Sequence, residues 1–369
     1  MLRTLMAGAF VVLLFGSCST SDSTSSTVTT TAATTTSAEP STTAEPTTTP
    51  ETAAATTTST APTSTTTTTV ELPAQSDDWS LESGDLLVSS GDGLTVVRSD
   101  GDGWSPVQTV VTESVLRAFG DGSGGVVFQP GDPYESFGSI WRITSGGDEP
   151  VLVAELVESS SEYEDFEPLK LLTVATIDGD RVVLYRRFSA GYIDGVLYGY
   201  SLTTGKTTAL APAGEGEVEV ESAAWVGDHF VYTLNAEGNA YIGETDEAGV
   251  WEEAPLGEPL RNQVDPDMGA SARLAPDTSD TVVIAYESVY WCLEGLGYRI
   301  GRFDTDPWQP KGTVHQIESP AEENCWIETL ETLDNQAAIH FGDGGTFIVN
   351  LDTGTTTPLP LNGPTSFIP

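Results

Sequence analysis

The chain has 369 residues and is strongly acidic, with 55 Asp and Glu against 14 Lys and Arg and a net charge of −41. Residues 1–70 hold one basic and four acidic residues, so residues 71–369 carry 13 basic and 51 acidic residues, a net charge of −38. Such a surface repels polyphosphates and anionic lipid faces, which excludes nucleic acid as an expected partner. Solubility in a salty medium explains the acidity, and cation binding is the alternative.

The N-terminus has the features of an export signal. Arg3 precedes an apolar run over residues 5–15, which is too short for a transmembrane helix. The run ends in Leu14-Phe15-Gly16-Ser17-Cys18, which resembles the bacterial lipobox, where the signal is cut before a cysteine that then receives lipid. We predict a signal peptide over residues 1–17, lipid on Cys18, and an exported protein held at the outer face of the plasma membrane. An ordinary signal peptide with an incidental cysteine is the alternative.

Residues 18–72 are predicted to be the lipidated cysteine followed by a disordered linker. Thr, Ser, Ala and Pro dominate this stretch, and hydrophobic periodicity is missing. Such a composition buries too little apolar area to offset the entropy of ordering the chain. It is typical of a stalk that holds a globular domain away from a membrane, and it suits O-glycosylation.

Residues 73–369 alternate short apolar strands with turns rich in Gly, Asp, Ser and Thr, and they lack helical periodicity. One type of strand recurs at intervals of 40 to 56 residues, at 86–88, 126–128, 182–184, 230–232, 282–284 and 337–339. A first strand precedes five of the copies, and a partner strand and a weaker fourth strand follow. Repeats of this length with four antiparallel strands are typical of propellers. The sequence therefore predicts an all-β fold, a β-propeller with six four-stranded blades, or with five or seven if a long interval hides or inflates a unit.

The fifth unit contains a recognisable motif. Residues 274–286, LAPDTSDTVVIAY, resemble the Ser-Pro-Asp-Gly turn and the following strand of the TolB-type and WD-repeat-like propellers of bacterial envelopes. The resemblance implies that ligands meet the face formed by the loops between second and third strands and between successive blades. We expect residues 79–82, or their upstream neighbours, to close the ring by pairing within the last blade.

The long connections on that face carry the candidate binding residues, because loops above a rigid scaffold are the expected place for recognition. The candidates are Tyr134, Tyr163, Asp165, Phe166, Arg186 and Tyr192. They suit a glycan, peptide or protein ligand, and solvated connections without a ligand are the alternative. Arg186 and Arg187 should point to opposite faces of their strand, where pairing with nearby carboxylates competes with binding an anionic ligand.

Cys292 and Cys325 fall on the same face in adjacent units, and export favours oxidation, so we predict a disulfide between them. A metal site or a catalytic thiol is the alternative for the pair. Asp92, Asp100 and Asp102 lie in Gly-rich turns that are weak candidates for calcium. They lack the spacing of an EF-hand loop, and Asp-Gly pairs are typical of tight turns. No other cofactor is predicted.

The sequence contains no catalytic signature. His229, His315 and His340 lie in three different units, and the nucleophile-elbow, phosphate-loop and dinucleotide motifs are missing. We predict a monomeric, non-catalytic binding or scaffold lipoprotein. The alternative is an extracellular carbohydrate-active enzyme, a hydrolase or lyase that uses two carboxylates of the loop face. A deep funnel with two carboxylates about 5–9 Å apart would favour the enzyme, and a plugged channel would favour binding.

Overall fold

A computed structural model describes residues 76, 78–101, 103–132, 136–144, 149–155, 157–158, 166–167, 169–177, 179–188, 195–211, 218–236, 239–245, 256–260, 271–287, 297–317 and 326–369. These residues belong to the compact unit Thr68–Pro369. Their regular structure is antiparallel β-strand, with one 3₁₀ turn at Gly342–Gly344. Across these ranges, no helix is long and apolar enough to cross a membrane.

The strands are numbered in chain order. Those of the first half are β1 (Leu86–Ser90), β2 (Gly93–Ser99), β3 (Trp104–Val111), β4 (Val115–Gly120), β5 (Val126–Asp132), β6 (Ser136–Phe137), β7 (Ile140–Ile143), β8 (Val151–Ala154), β9 (Val157–Glu158), β10 (Phe166–Glu167), β11 (Leu169–Ile177), β12 (Asp180–Phe188), β13 (Gly195–Ser201) and β14 (Thr207–Ala211). Those of the second half are β15 (Val218–Val226), β16 (His229–Ala236), β17 (Asn239–Thr245), β18 (Leu256–Leu260), β19 (Ala272–Pro276), β20 (Thr281–Glu287), β21 (Tyr298–Thr305), β22 (Trp308–Pro310), β23 (His315–Ile317), β24 (Ile327–Leu333), β25 (Gln336–Phe341), β26 (Gly345–Asn350), β27 (Thr356–Pro358) and β28 (Thr365–Phe367).

In the described part of the chain, six sheets of four or five strands follow one another, numbered here as sheets 1 to 6. Their strand orders are β28-β1-β2-β3, β4-β5-β7-β8 with β6 on β5, β11-β12-β13-β14, β15-β16-β17-β18, β19-β20-β21-β22 with β23 on β21, and β24-β25-β26-β27. The first strands contact one another in the cyclic order β28, β4, β11, β15, β19, β24 and back to β28. They therefore surround a common axis, and the predicted β-propeller class is confirmed.

The recurring apolar strand of the sequence is the second strand of each sheet, and it is buried on both faces. In sheet 2, Val126 and Phe128 pack toward sheet 1, whereas Val127 packs toward sheet 3. Successive side chains of a strand point to opposite faces, so a strand between two neighbouring sheets needs an apolar residue at every position. The same division recurs around the ring and gives one hydrophobic core between each pair of adjacent sheets.

The ring closes differently from the prediction. The C-terminal strand β28 forms the inner strand of sheet 1 and pairs with β1 at Leu86, Leu87 and Val88. Residues 79–82 do not enter sheet 6. They lie beside sheet 1, where Trp79 packs in the core shared with sheet 2. Phe367 fills the core between sheets 1 and 6, whereas Trp79 and Leu81 pack in the core between sheets 1 and 2.

Three sheets repeat an ion pair between the turn before the second strand and the third strand. The pairs are Asp85–Arg98 at 2.6 Å, Asp121–Arg142 at 2.7 Å and Asp277–Arg302 at 3.2 Å. Asp121 also accepts hydrogen bonds from the backbone N–H groups of Ser123 and Gly125, at 2.7 and 2.8 Å. Burial alone would raise its pKa, but these donors together lower it. In these three sheets, an arginine on the third strand therefore holds the aspartate of the turn that precedes the second strand.

Candidate functional site

Charged side chains gather at the axis of the ring, on the inner strands of five sheets. The channel cluster consists of Arg117 on β4, Lys170 on β11, Glu221 on β15, Arg273 on β19 and Glu328 on β24. All of these except Lys170 line one common cavity. The whole chain has 14 basic residues against 55 acidic ones, and three of the 14 stand in this cluster.

A β-bulge directs two of the carboxylates into the channel. In sheets 2, 3, 4 and 6, the pairing of the first and second strands skips one residue near the start of the first strand. The skipped residues are Leu116, Leu172, Glu221 and Glu328. A bulge turns a side chain away from the alternation of a regular strand. The repeat therefore places one residue per sheet at an equivalent point, and in sheets 4 and 6 that residue is glutamate.

The channel cluster is internally paired across sheets. Glu221 Oε2 lies 3.0 Å from Lys170 Nζ and 2.7 Å from Arg273 Nη2. Arg273 Nε and Arg117 Nη2 both donate to the backbone carbonyl of Glu328, at 3.2 and 3.3 Å. Together these contacts connect sheets 2 to 6 around the axis, so the cluster contributes to holding the ring together.

Both bulge carboxylates are ionised at neutral pH. Burial alone would raise the pKa of Glu221, but Arg273 and Lys170 lower it well below its usual range. Burial is the largest influence on Glu328 and would raise its pKa, but the interactions with His340 and Arg117 together outweigh it and lower the pKa of Glu328 to about 2. His340 Nε2 lies 3.2 Å from Glu328 Oε2.

Glu331, three residues further along β24, has the opposite environment. Glu331 is half-buried and lines the cavity at the axis. Desolvation raises the pKa of Glu331 to about 8, and the attraction of Arg181 and Arg117 offsets only part of this effect. The channel therefore holds two ionised carboxylates and one that is largely protonated at neutral pH.

The channel is nearly full. Strands β4, β11, β15, β19 and β24 leave a space of about 20 Å³ for the centres of water molecules. A cavity of this volume holds about one water molecule. A sugar ring or a peptide side chain needs far more space.

A hydrogen-bond chain connects Glu328 to the segment that closes the ring. His340 Nδ1 lies 3.1 Å from Thr346 Oγ1, which donates to the carbonyl of Gly363 at 2.8 Å. Trp326 is 54% exposed and directly precedes β24.

Of the predicted ligand-binding residues, Arg186 is the one whose side chain is described. It is 1% exposed, and its Nη1 donates to the carbonyl of Val220 in sheet 4 at 3.3 Å. Arg187 points to the other face and donates to the carbonyl of Glu155. Arg186 thus joins sheets 3 and 4. Phe166 is described by its backbone, in β10 paired with β9.

Asp92 and Asp100 lie in separate exposed turns. The Asp92 N–H donates to Ser90 Oγ at 3.2 Å, and Asp100 Oδ1 accepts from the Gly103 N–H at 3.0 Å. These contacts fix tight turns. In the described ranges, no group of three or more His, Cys, Asp and Glu is arranged to hold a metal ion. The remaining predicted site residues lie outside the described residues: Cys18, Asp102, Tyr134, Tyr163, Asp165, Tyr192, Cys292 and Cys325.

Sequence reasoning missed the channel cluster. Its signal was present, because Lys170, Glu221, Arg273 and Glu328 each interrupt an apolar stretch near the start of a first strand. In a single repeat, such a charge is indistinguishable from an exposed residue of an alternating strand. Only the superposition of the repeats places these charges at equivalent points facing one axis.

The chain matches no protein-family model and no curated protein. Among solved structures it is similar to one of a nidogen/laminin complex, with 10% identity, 77% of this chain and 98% of that chain covered, and a TM-score of 0.50. It is also similar to a polysaccharide lyase of family PL25, an ulvan lyase (10% identity, coverages of 74% and 74%, TM-score 0.46). A third is the β-propeller domain of the trilobed protease from Pyrococcus furiosus (11% identity, coverages of 78% and 85%, TM-score 0.40). At such identities the likeness concerns the fold alone.

Proposed function

We propose that the chain is an exported lipoprotein whose β-propeller is a non-catalytic binding or scaffold module. The supporting observation is the plugged channel. Glu221 is paired with Lys170 and Arg273, Arg273 and Arg117 both bond the backbone carbonyl of Glu328, and the cavity has room for about one water. Among the described residues, the cavity at the axis, beside the ionised carboxylates, is therefore too small for a substrate. We therefore expect the ligand to bind on the face of the ring rather than in its interior.

The anchor is the second part of the proposal. Lipid on Cys18 would hold the protein at the outer face of the plasma membrane, with the Thr-rich segment as a stalk. The expected outcome of Cys18→Ser is loss of labelling by an alkyne fatty acid in a bacterial host, with the protein recovered in the soluble rather than the membrane fraction. Ser17→Ala, which leaves a small residue before Cys18, is the matched control and should remain labelled. A labelled Cys18→Ser protein would contradict the assignment.

Binding and catalysis are separated by one pair of measurements on the full chain purified in detergent. The protein is applied to arrays of glycans and peptides, and the ligands that it retains are then incubated with it at micromolar concentration and analysed by mass spectrometry. We expect retention without new products. New products that disappear in Glu328→Gln or Glu221→Gln would establish an enzyme and overturn the non-catalytic proposal.

A further inference from the structure

Two guanidinium groups meet at the cavity on the axis of the ring, here called the axial cavity. Arg117 of sheet 2 and Arg273 of sheet 5 both line it, and both donate to the backbone carbonyl of Glu328, at 3.3 and 3.2 Å. Among the described residues, Arg117 forms no ion pair, and its other hydrogen bond goes to the carbonyl of Leu171 at 3.4 Å. A guanidinium has five N–H donors. Arg117 therefore brings a positive charge and spare donors to the cavity.

The channel cluster has more positive than negative charge at neutral pH. It contains three cations and two carboxylates, both of which are ionised. A third carboxyl of the axial cavity, Glu331, is largely protonated, because burial raises its pKa to about 8. His340, beside Glu328, adds positive charge when it is protonated and none when it is neutral. The excess is therefore at least one positive charge, and a buried charge without a counterion is unfavourable.

A buried hydroxyl adds a further donor to the axial cavity. Thr329 of sheet 6 lines the cavity and is 5% exposed, and its Oγ1 has no hydrogen-bond partner among the described residues. Native proteins rarely leave a buried hydroxyl without a partner. An occupant that accepts hydrogen bonds would satisfy this hydroxyl and the spare donors of Arg117 together.

The size and charge of the axial cavity limit its occupant. The cavity has room for about one water-sized body. A halide ion is close to that size, whereas carboxylate, sulfate and phosphate groups are larger. A metal cation would be repelled by the two guanidinium groups. A water molecule would satisfy the hydrogen bonds but would leave the excess positive charge without a counterion.

We propose that the axial cavity binds one halide ion, such as chloride, through N–H groups of Arg117 and Arg273 and the hydroxyl of Thr329. The ion bridges sheets 2, 5 and 6 and stabilises the closed ring. This site is separate from the ligand face of the proposed function, so either can fail without the other.

The test measures the thermal midpoint of the full chain in a non-ionic detergent at pH 7, with sodium gluconate, sodium chloride or sodium bromide at one ionic strength. Screening of the surface charge is then the same in all three salts. An ion that binds the folded state stabilises it by mass action. We expect the midpoint to be about 2–4 °C higher in chloride and in bromide than in gluconate.

Thr329→Val keeps the shape of the side chain and removes the hydroxyl, and it should lose at least half of the halide-dependent shift. Thr365→Val is the matched control. Thr365 on β28 is 2% exposed, its Oγ1 also has no partner among the described residues, and it does not line the axial cavity. This variant should keep the full shift of the parent. Arg117→Gln should lose the shift entirely, and the two threonine variants decide the matter if Arg117→Gln does not fold.

The chloride NMR resonance is a second readout, because exchange of chloride with a protein site broadens its line. Broadening should be equal in the parent and Thr365→Val and weaker in Thr329→Val. Equal midpoints of the parent in the three salts, without broadening, would overturn the inference and leave water as the occupant. Equal halide shifts in Thr329→Val and Thr365→Val would place the ion elsewhere and overturn the site. Neither result changes the retention of glycans or peptides, which tests the proposed function.

Discussion

At the scale of single residues, the carboxyl groups of the channel have different pKa values because their surroundings differ. Lys170 and Arg273 keep Glu221 ionised, and contacts with His340 and Arg117 keep Glu328 ionised. Glu331 makes no hydrogen bond with Arg117 or Arg181 among the described contacts. A carboxyl whose pKa is raised on folding takes up a proton as the chain folds. Below its ordinary value of about 4.5 both states are protonated, so stability is lost as pH rises from about 4.5 to about 8.

Replacement of Glu331 by Gln should therefore stabilise the protein in a pH-dependent way. Gln has the shape of the protonated acid and cannot ionise, so the gain should be near zero at pH 4.5 and on the order of 2–3 kcal/mol at pH 8. Urea unfolding curves at the two pH values measure the difference. Glu113→Gln, at an exposed site between β3 and β4, is the matched control with little expected change. A gain independent of pH would contradict the assignment.

At the scale of elements, the ring depends on a strand of three residues. Strand β28 is fixed by its pairing with β1 and by Gly363, whose N–H and C=O groups both bond Thr346 Oγ1, at 3.2 and 2.8 Å. Gly363 has a φ of +151°, and a Cβ there would come within 1.7 Å of the Ser89 carbonyl oxygen. Only glycine fits this close approach of two backbones.

We expect Gly363→Ala to detach the closing strand. The clash is with backbone and cannot be relieved by a side-chain rotation, so the loss of stability should be more than about 2 kcal/mol. Hydrogen exchange should accelerate first in β28 and β1, before the other sheets respond. The control is Gly91→Ala, in a turn where an added Cβ meets nothing within 4 Å. Equal protection of β28 in Gly363→Ala and in the parent would refute this role.

At the scale of the whole molecule, the net charge of −38 beyond residue 70 repels itself, and three of the 13 basic residues in that part of the chain lie in the channel cluster. As pH falls, carboxylates begin to protonate and the self-repulsion weakens. Protonation of Glu331 also stabilises the fold as pH falls. Glu221 and Glu328 act oppositely. Because their pKa values are depressed, their contribution is present above about pH 4.5 and is lost as pH falls toward 2.

The thermal midpoint should therefore pass through a maximum near pH 5. At pH 7.5, raising NaCl from 0.05 to 0.5 M should increase the midpoint by several degrees, on the order of 3–6 °C, because salt screens the repulsion. Near pH 4.5, where fewer acids are charged, the same salt step should have a smaller effect. Differential scanning calorimetry across pH and salt measures both. A midpoint that keeps rising from pH 5 to pH 8 would show that neither the repulsion nor Glu331 controls stability.

The sequence by itself determined the repeat and its class. The second strands at 86–88, 126–128 and their later copies were readable because a strand buried on both faces must be apolar at every position. The sequence also determined the net negative charge, and it showed that the N-terminal segment has the composition of an export signal. These are local properties of composition and alternation, which need no knowledge of neighbouring sheets.

Only the tertiary structure decided how the ring closes and where its charges meet. Strand β28 begins 275 residues after the end of β1 in the chain. Its three residues alone do not indicate that it pairs with β1. Glu221 and Arg273 are separated by 52 residues and become an ion pair because a bulge in one strand and the curvature of the ring bring them to one axis. Long-range pairing and register are set by packing between sheets, and a single sequence does not encode them locally.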